Sequence, residues 1–313
     1  MKNLIIFILV TFIYSAEYFV ATTGDSLNIG TYSNPFLNVQ QAVDIMQPGD
    51  ICYIRQGVYH ENIIIDDNDG NSGSPLLFTS YNDERVVFDG TILIETVWEQ
   101  YSGNIWVTEI DFDIWQLFVG YEEMVMARWP NANFSDGSIW DKENYWAHGL
   151  IDDDDTAYQN GTMIDAPHGN IALENIGFNI QGATAILNVG SFKTYTKEVL
   201  SHNGNTFTYD PVDLWKTKHH DYFLENKLEF LDSSGEWFYD SSLSKLYFWS
   251  PGNIDPNTLD IRGKVQSYAF DVNNSNYIEL KDLEFFATYY LRMIEFFHPI
   301  ELLDFQIIDL IDT

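Results

Sequence analysis

The feature that most limits what this chain can become lies near its C-terminus, where one run of residues returns at a fixed offset. Ile278-Glu279-Leu280-Lys281-Asp282-Leu283-Glu284-Phe285-Phe286 realigns 22 positions later with Ile300-Glu301-Leu302-Leu303-Asp304-Phe305-Gln306-Ile307-Ile308. Apolar residues fall at the same alternating places, and a Glu and an Asp match outright. Alternation with period two marks a strand with one buried face. An offset of this size falls in the range of one repeat period. The spacing therefore predicts coils of a parallel β-helix, with Ile278, Leu280 and Leu283 pointing inward. Ile300, Leu302 and Phe305 are then expected beneath them, one inter-strand spacing of about 4.8 Å away. A similar run stands at Ile171-Ala172-Leu173-Glu174-Asn175-Ile176-Gly177-Phe178.

The N-terminal half agrees with an all-β solenoid. Asn38 can cap a short helix in which Val39, Ala42, Val43 and Met46 recur at helical spacing until Pro48-Gly49 stops it. Short β runs follow at 51–54, 58–59, 62–65, 76–79 and 86–88, separated by turn signals and by the polar loop 66–75. Cys52, the one cysteine of the chain, sits in an apolar strand-like run with no basic neighbour. It is expected to be a buried structural thiol, and no intrachain disulfide is available to the fold.

Charge narrows the function. Against 15 Lys and Arg stand 47 Asp and Glu, a formal net charge of −32. That excludes a nucleic-acid partner as a first reading and argues against adhesion to anionic membranes, because both need clustered cations. With 45% hydrophobic and 16% aromatic residues, the chain is nonetheless a folded protein. Lys2, the apolar run from Leu4 to Ile13 and the small residues Ser15-Ala16 have the layout of a secretory signal peptide over 1–16. A secreted protein with no membrane segment after cleavage is expected.

Several stretches taken together resemble a family. Gly24-Asp25, Gly30-Thr31, Asn34-Pro35-Phe36, Gln41-Ala42-Val43, Pro48-Gly49-Asp50 and Ile54-Arg55-Gln56-Gly57-Val58-Tyr59-His60-Glu61-Asn62 resemble the cap and first coil of secreted right-handed parallel β-helix proteins that act on polysaccharides. Glycoside hydrolases and polysaccharide lyases of the alginate lyase and chondroitinase B kind begin in this way. Gln116-Leu117-Phe118-Val119-Gly120, Met126-Ala127-Arg128-Trp129-Pro130-Asn131, Gly235-Glu236-Trp237-Phe238-Tyr239-Asp240 and Lys245-Leu246-Tyr247-Phe248-Trp249 resemble the β-domain inserted into β-helix glycoside hydrolases. The resemblance implies cap and first coils over 17–97, an inserted β-rich domain over 98–262 and resumed coils over 263–313. All nine tryptophans lie between Trp98 and Trp249, inside the expected insert. It also implies a carbohydrate-active protein related to glycoside hydrolases and acting on or binding an extracellular polysaccharide. A non-catalytic polysaccharide-binding or adhesion protein and a polysaccharide lyase are the alternatives. No obligate protein partner is expected.

Candidate residues follow from the chemistry. Sugar hydrolysis needs two carboxyl groups, one protonated acid and one ionised nucleophile or base. Asp282 and Asp304 stack in the 22-residue register and are the candidate catalytic pair, with a polar corner ladder as the other reading. Arg128 is a candidate clasp for a sugar carboxylate or sulfate, with a structural ion pair as its alternative. Trp129, Trp140 and Trp146 are candidate exposed sugar-stacking rings, most other tryptophans being expected in the core. Asp66, Asn68 and Asp69 offer oxygen ligands for a structural Ca2+, although the loop lacks the full helix-flanked calcium pattern. The run 152–155 is a candidate of the same kind, with a solvated loop as the other reading at either place. No cofactor is required. The second coil run ends almost at Thr313, so the chain is expected to be a truncated member of its kind, with little or no hydrolytic activity by itself.

Overall fold

The computed structural model describes residues 15–150, 159–190, 193–213, 217–292 and 306–307. Its regular structure is nearly all β, the described α-helices being the single turns Gln40–Val43 and Lys142–Tyr145. The chain divides into two compact units, 1–91 with 266–313, and 92–265. The cuts at 91/92 and 265/266 compare with 97/98 and 262/263 expected from the sequence.

In the first unit, short strands with alternating burial line up in three wholly parallel sheets. The first sheet runs Glu17–Val20, Ile51–Ile54, Leu76–Ser80, Ile278–Lys281. The second runs Gly57–Tyr59, Val86–Asp89, Glu284–Phe286, Gln306–Ile307. The third runs Ile63–Asp66, Tyr268–Asn273, Tyr289–Arg292. From Ile51 to Arg292, the strands of the second unit aside, the chain visits first, second and third sheet in rotation, returning each time one strand further along. Glu284 pairs with Gln306 and Phe285 with Ile307, which is the 22-residue offset seen in the sequence. The stacking of Ile278, Leu280 and Leu283 on Ile300, Leu302 and Phe305 lies outside the described residues. On their other side, Ile278 and Leu280 stack on Leu76 and Phe78, strands that precede the second unit in sequence.

Parallel in-register stacking puts like positions above one another, so each sheet presents a continuous inward column. Tyr18, Cys52, Phe78 and Leu280 form one, and Tyr59, Phe88 and Phe285 another. Phe270 of the third sheet lies 5.1 Å from Phe88 and 5.7 Å from Phe78, ring centre to ring centre, joining the columns into one core. Cys52 is fully buried there, and burial pushes its thiol pKa up, as expected of a structural thiol. The assigned helix is Gln40–Val43, but the N–H groups of Val43, Asp44 and Met46 donate to the carbonyls of Val39, Gln40 and Ala42, so helical hydrogen bonding reaches across the expected 39–46, and Val39, Ala42, Val43 and Met46 are all buried against this core.

The second unit is built differently, so the β-structure of the chain as a whole is mixed. An eight-stranded sheet runs Thr91–Leu93, Ile261–Lys264, Leu117–Val119, Glu122–Met126, Glu236–Asp240, Lys245–Phe248, Ile105–Glu109, Glu99–Ser102, with Val125 opposite Glu236 in a parallel pairing. A second sheet joins Arg128–Trp129, Thr217–Glu225, Thr184–Gly190 and Lys193–Glu198, with Ala147–His148 alongside. A three-stranded hairpin sheet completes it. Trp98 and Trp237 are core residues, consistent with a mainly structural use of tryptophan, whereas Trp115 and Trp140 are exposed.

Candidate functional site

The chain crosses from one sheet of the second unit to the other within residues 122–129. Fully buried Ala127 sits at the crossing, where its N–H donates to the Trp237 carbonyl and its carbonyl accepts from Asn226 N–H. A methyl side chain lets two backbones meet there. Arg128, the next residue, enters the second sheet opposite Glu225. A cavity of about 180 Å3 lies at this junction. Trp115, Phe134, Phe223 and Trp237 give it aromatic walls, and Gln116, Glu123, Arg128 and Glu225 its polar groups.

Arg128 is 1% exposed, so it is no surface clasp. Its Nε donates to the Pro130 carbonyl at 2.9 Å, its Nη2 reaches the Tyr145 carbonyl at 3.4 Å, and its guanidinium carbon lies 3.9 Å over the Phe223 ring. Nη1 is buried and has no hydrogen-bond partner among the described residues. Burial pulls the guanidinium pKa down to about 10, while Glu225 and Glu236 oppose the shift, so Arg128 stays charged at neutral pH. The same low-dielectric setting pushes Glu225 up to about 7 against the pull of Arg128. Glu123 is raised by burial too, opposed by a 2.7 Å hydrogen bond from Gln116 and by Lys264. Glu236 is pushed up to about 8, although its Oε2 accepts from the N–H groups of Asp232 and Ser233. A carboxyl group titrating near neutrality beside a fixed cation is competent for proton transfer and for accepting a hydroxyl hydrogen bond.

The other sequence candidates scatter. Trp140 is 70% exposed, as expected, and 6.2 Å from Phe134. Trp129 and Trp146 are half-buried instead, because Trp129 packs on the core of the second sheet and Trp146 lies edge-on to Phe223 at 4.7 Å with its Nε1–H donating to the Ile139 carbonyl. None of the three lines the cavity. Asp282 is an exposed corner residue with φ of +55°, 3.8 Å from Lys281 Nζ; Asp304 lies outside the described residues. The side chains of Asp66, Asn68 and Asp69 do not converge. Asp66 accepts from Asn274, Asp69 accepts from the backbone and side chain of Asn276, and Asn68 donates to the Val43 carbonyl. These bonds staple one turn to the next. Residues 152–155 lie outside the described residues. No group of three or more His, Cys, Asp or Glu among the described residues is arranged to hold a metal ion.

Sequence reading missed Glu225 and Glu123. The signal for Glu225 was alternation along Thr217–Glu225: Tyr222 and Leu224 are fully buried in the core, which turns Phe223 and Glu225 to the opposite, cavity-facing side. A second titratable cluster stands apart, with the His148 and His168 rings stacked at 3.8 Å and 4° and His220 edge-on to His148 at 6.1 Å.

Comparison with known proteins adds to this geometry. Residues 209–251, which include Glu225, Glu236 and Trp237, match the family described as the GH141 insertion domain. A solved structure described as a glycoside hydrolase superposes with a TM-score of 0.64 at 18% identity, over 88% of this chain and 51% of that one. A structure of XylC in complex with xylose gives a TM-score of 0.44 at 18% identity, over 87% of this chain and 36% of that one. The uncharacterized protein YwoF of Bacillus subtilis (strain 168) is 31% identical over 86 residues, 27% of this chain and 18% of YwoF. This chain thus spans about half the length of the glycoside hydrolase that it resembles in fold and less than a fifth of YwoF. The family match covers residues 209–251 of this chain, and the superposition with a TM-score of 0.64 shows a fold shared with the glycoside hydrolase.

Proposed function

We propose that this chain is a secreted, carbohydrate-active protein of the glycoside hydrolase type, built on a right-handed parallel β-helix with residues 92–265 as its inserted domain. The observation that carries the reading is the match of 209–251 to a glycoside hydrolase insertion domain, inside a unit that interrupts three parallel, rotating sheets. Its substrate is an extracellular polysaccharide, and Asp282 with Asp304 is the carboxyl pair to substitute first. Incubation with a panel of plant and marine polysaccharides tests the reading. New reducing ends without unsaturated products mean hydrolysis, and Asp282→Asn is then expected to abolish them. Reducing ends together with ultraviolet-absorbing unsaturated products mean a lyase, and retention on a polymer with neither product means a binding protein. No product and no retention on any polymer overturn the carbohydrate reading.

A further inference from the structure

We propose that the cavity at the sheet junction of the second unit is a binding site for one neutral sugar ring. The inference rests on the carbohydrate reading above and deepens it by naming where a ring sits and which charge it carries. Size sets the first limit. An apolar cavity of about 150 Å3 accepts a benzene molecule, so about 180 Å3 holds one six-membered ring and not an oligosaccharide. Shape and lining set the second. Trp115, Phe134, Phe223 and Trp237 supply flat apolar faces that match the C–H face of a pyranose. Trp115 is 44% exposed, leaving the cavity a side open to solvent.

The polar groups choose among sugars. Nη1 of Arg128 is a buried, charged donor without an acceptor among the described residues, a state that native proteins seldom tolerate unless something else supplies one. The rest of the guanidinium is spoken for by Pro130, Tyr145 and Phe223, so the bidentate grip on a carboxylate expected from the sequence is not on offer. The two N–H groups of Nη1 match a hydroxyl or ring oxygen. Glu123 and Glu225 line the same cavity as Arg128 and outnumber its single guanidinium. Carboxylates accept hydroxyl hydrogen bonds and repel a uronate or a sulfated ring. Cation, acceptors and aromatic walls therefore suit a neutral pyranose and oppose an acidic one.

The test is direct binding to the whole 313-residue chain, followed by saturation-transfer NMR and tryptophan fluorescence near pH 8, where Glu225 is ionised. The probes are xylose, glucose and fucose against glucuronate and galacturonate. Saturable binding of a neutral sugar is expected, at least about tenfold tighter than that of either uronate. Trp115→Ala should weaken it about tenfold or more, and Leu243→Ser, on an exposed turn outside the cavity, should leave it unchanged. Glu225→Gln should narrow the gap between neutral and acidic sugars by removing the repulsion. Should Arg128→Gln fail to fold, these variants still decide the matter. Absence of saturable binding by every neutral probe, equal or tighter uronate binding, or indifference to Trp115→Ala overturns the proposal. The polymer assays are separate: hydrolysis without ring binding sinks this site and leaves the proposed function standing, whereas ring binding with neither product nor retention on any polymer supports this site and overturns the polysaccharide reading.

Discussion

Glu236 is a carboxyl group that the fold holds nearly without water. It is 1% exposed and accepts hydrogen bonds from Asp232, Ser233 and, at 3.5 Å, Arg128 N–H, yet burial still lifts its pKa to about 8. A group whose folded pKa exceeds its unfolded value favours folding while protonated. Its contribution is full below an unfolded pKa of about 4.3 and is lost as pH rises through 8, at about 1.4 kcal/mol per unit of difference. Glu236→Gln, the neutral isostere, should therefore flatten the fall in urea stability between about pH 5 and pH 8 by a few kcal/mol; an unchanged slope would show that Glu236 is ionised in the folded protein. Nothing local in Gly235-Glu236-Trp237 announces this burial, since a Glu beside a Trp reads equally well as a solvated strand residue. It arises from pairing with Val125, far away in sequence. Arg128-Trp129-Pro130, by contrast, was legible as a special position, but its neighbours were not. Whether an arginine is a clasp or a buried post depends on Pro130, Tyr145 and Phe223 converging on it.

The strand is the next unit of stability, and the inward columns show how. Phe88 is fully buried and lies 5.6 Å from Tyr59, 5.6 Å from Phe285 and 5.1 Å from Phe270, so one ring joins strands on both sides of the second unit's stretch of sequence. Phe88→Ala should cost about 3–5 kcal/mol, transfer and cavity together, measured by urea unfolding. A loss under about 1 kcal/mol would mean that these strands do not share one core. Alternation along each strand, and the 22-residue offset that reappears as Glu284 on Gln306, were visible in the sequence because both are local or nearly so. That Ile278 and Leu280 rest on Leu76 and Phe78 was not visible. Roughly two hundred residues separate them, and many alternating strands would have fitted. The hydrogen-bond partners of the loop at 66–69 were hidden for a related reason. Its oxygens are taken by Asn274 and Asn276, which sequence proximity could not bring beside it.

At the scale of the whole molecule, buried carboxyl groups and surface charge act in the same direction. Glu61 and Glu225 are each pushed up to about 7 and Glu236 to about 8, burial being the main cause in all three. Each contributes stability that is lost as pH rises from about 4.3 toward those values. The formal charge of −32 adds self-repulsion that grows as these groups ionise. Groups with lowered pKa values oppose the trend, His168 and Glu84 among them. His168 is depressed by burial and by the His148 ring stacked on it, so its contribution is lost as pH falls below about 6.5. Glu84 is held low by its hydrogen bonds from Arg55, and that contribution fades only in stronger acid. The balance, three strongly raised carboxyls against one depressed imidazole, places the stability maximum between about pH 4.5 and 6.5. The melting temperature should be higher near pH 5.5 than near pH 8. Raising ionic strength from about 0.05 M to 0.5 M should recover part of the loss at pH 8, because the repulsion is screened once the Debye length falls to a few ångströms. The desolvation share, however, is insensitive to salt, so recovery should be partial, and Glu236→Gln should shrink the remainder. A melting temperature that climbs steadily from pH 5 to pH 8, or full recovery by salt alone, would show that the buried carboxyls are not held protonated and that surface charge sets the profile.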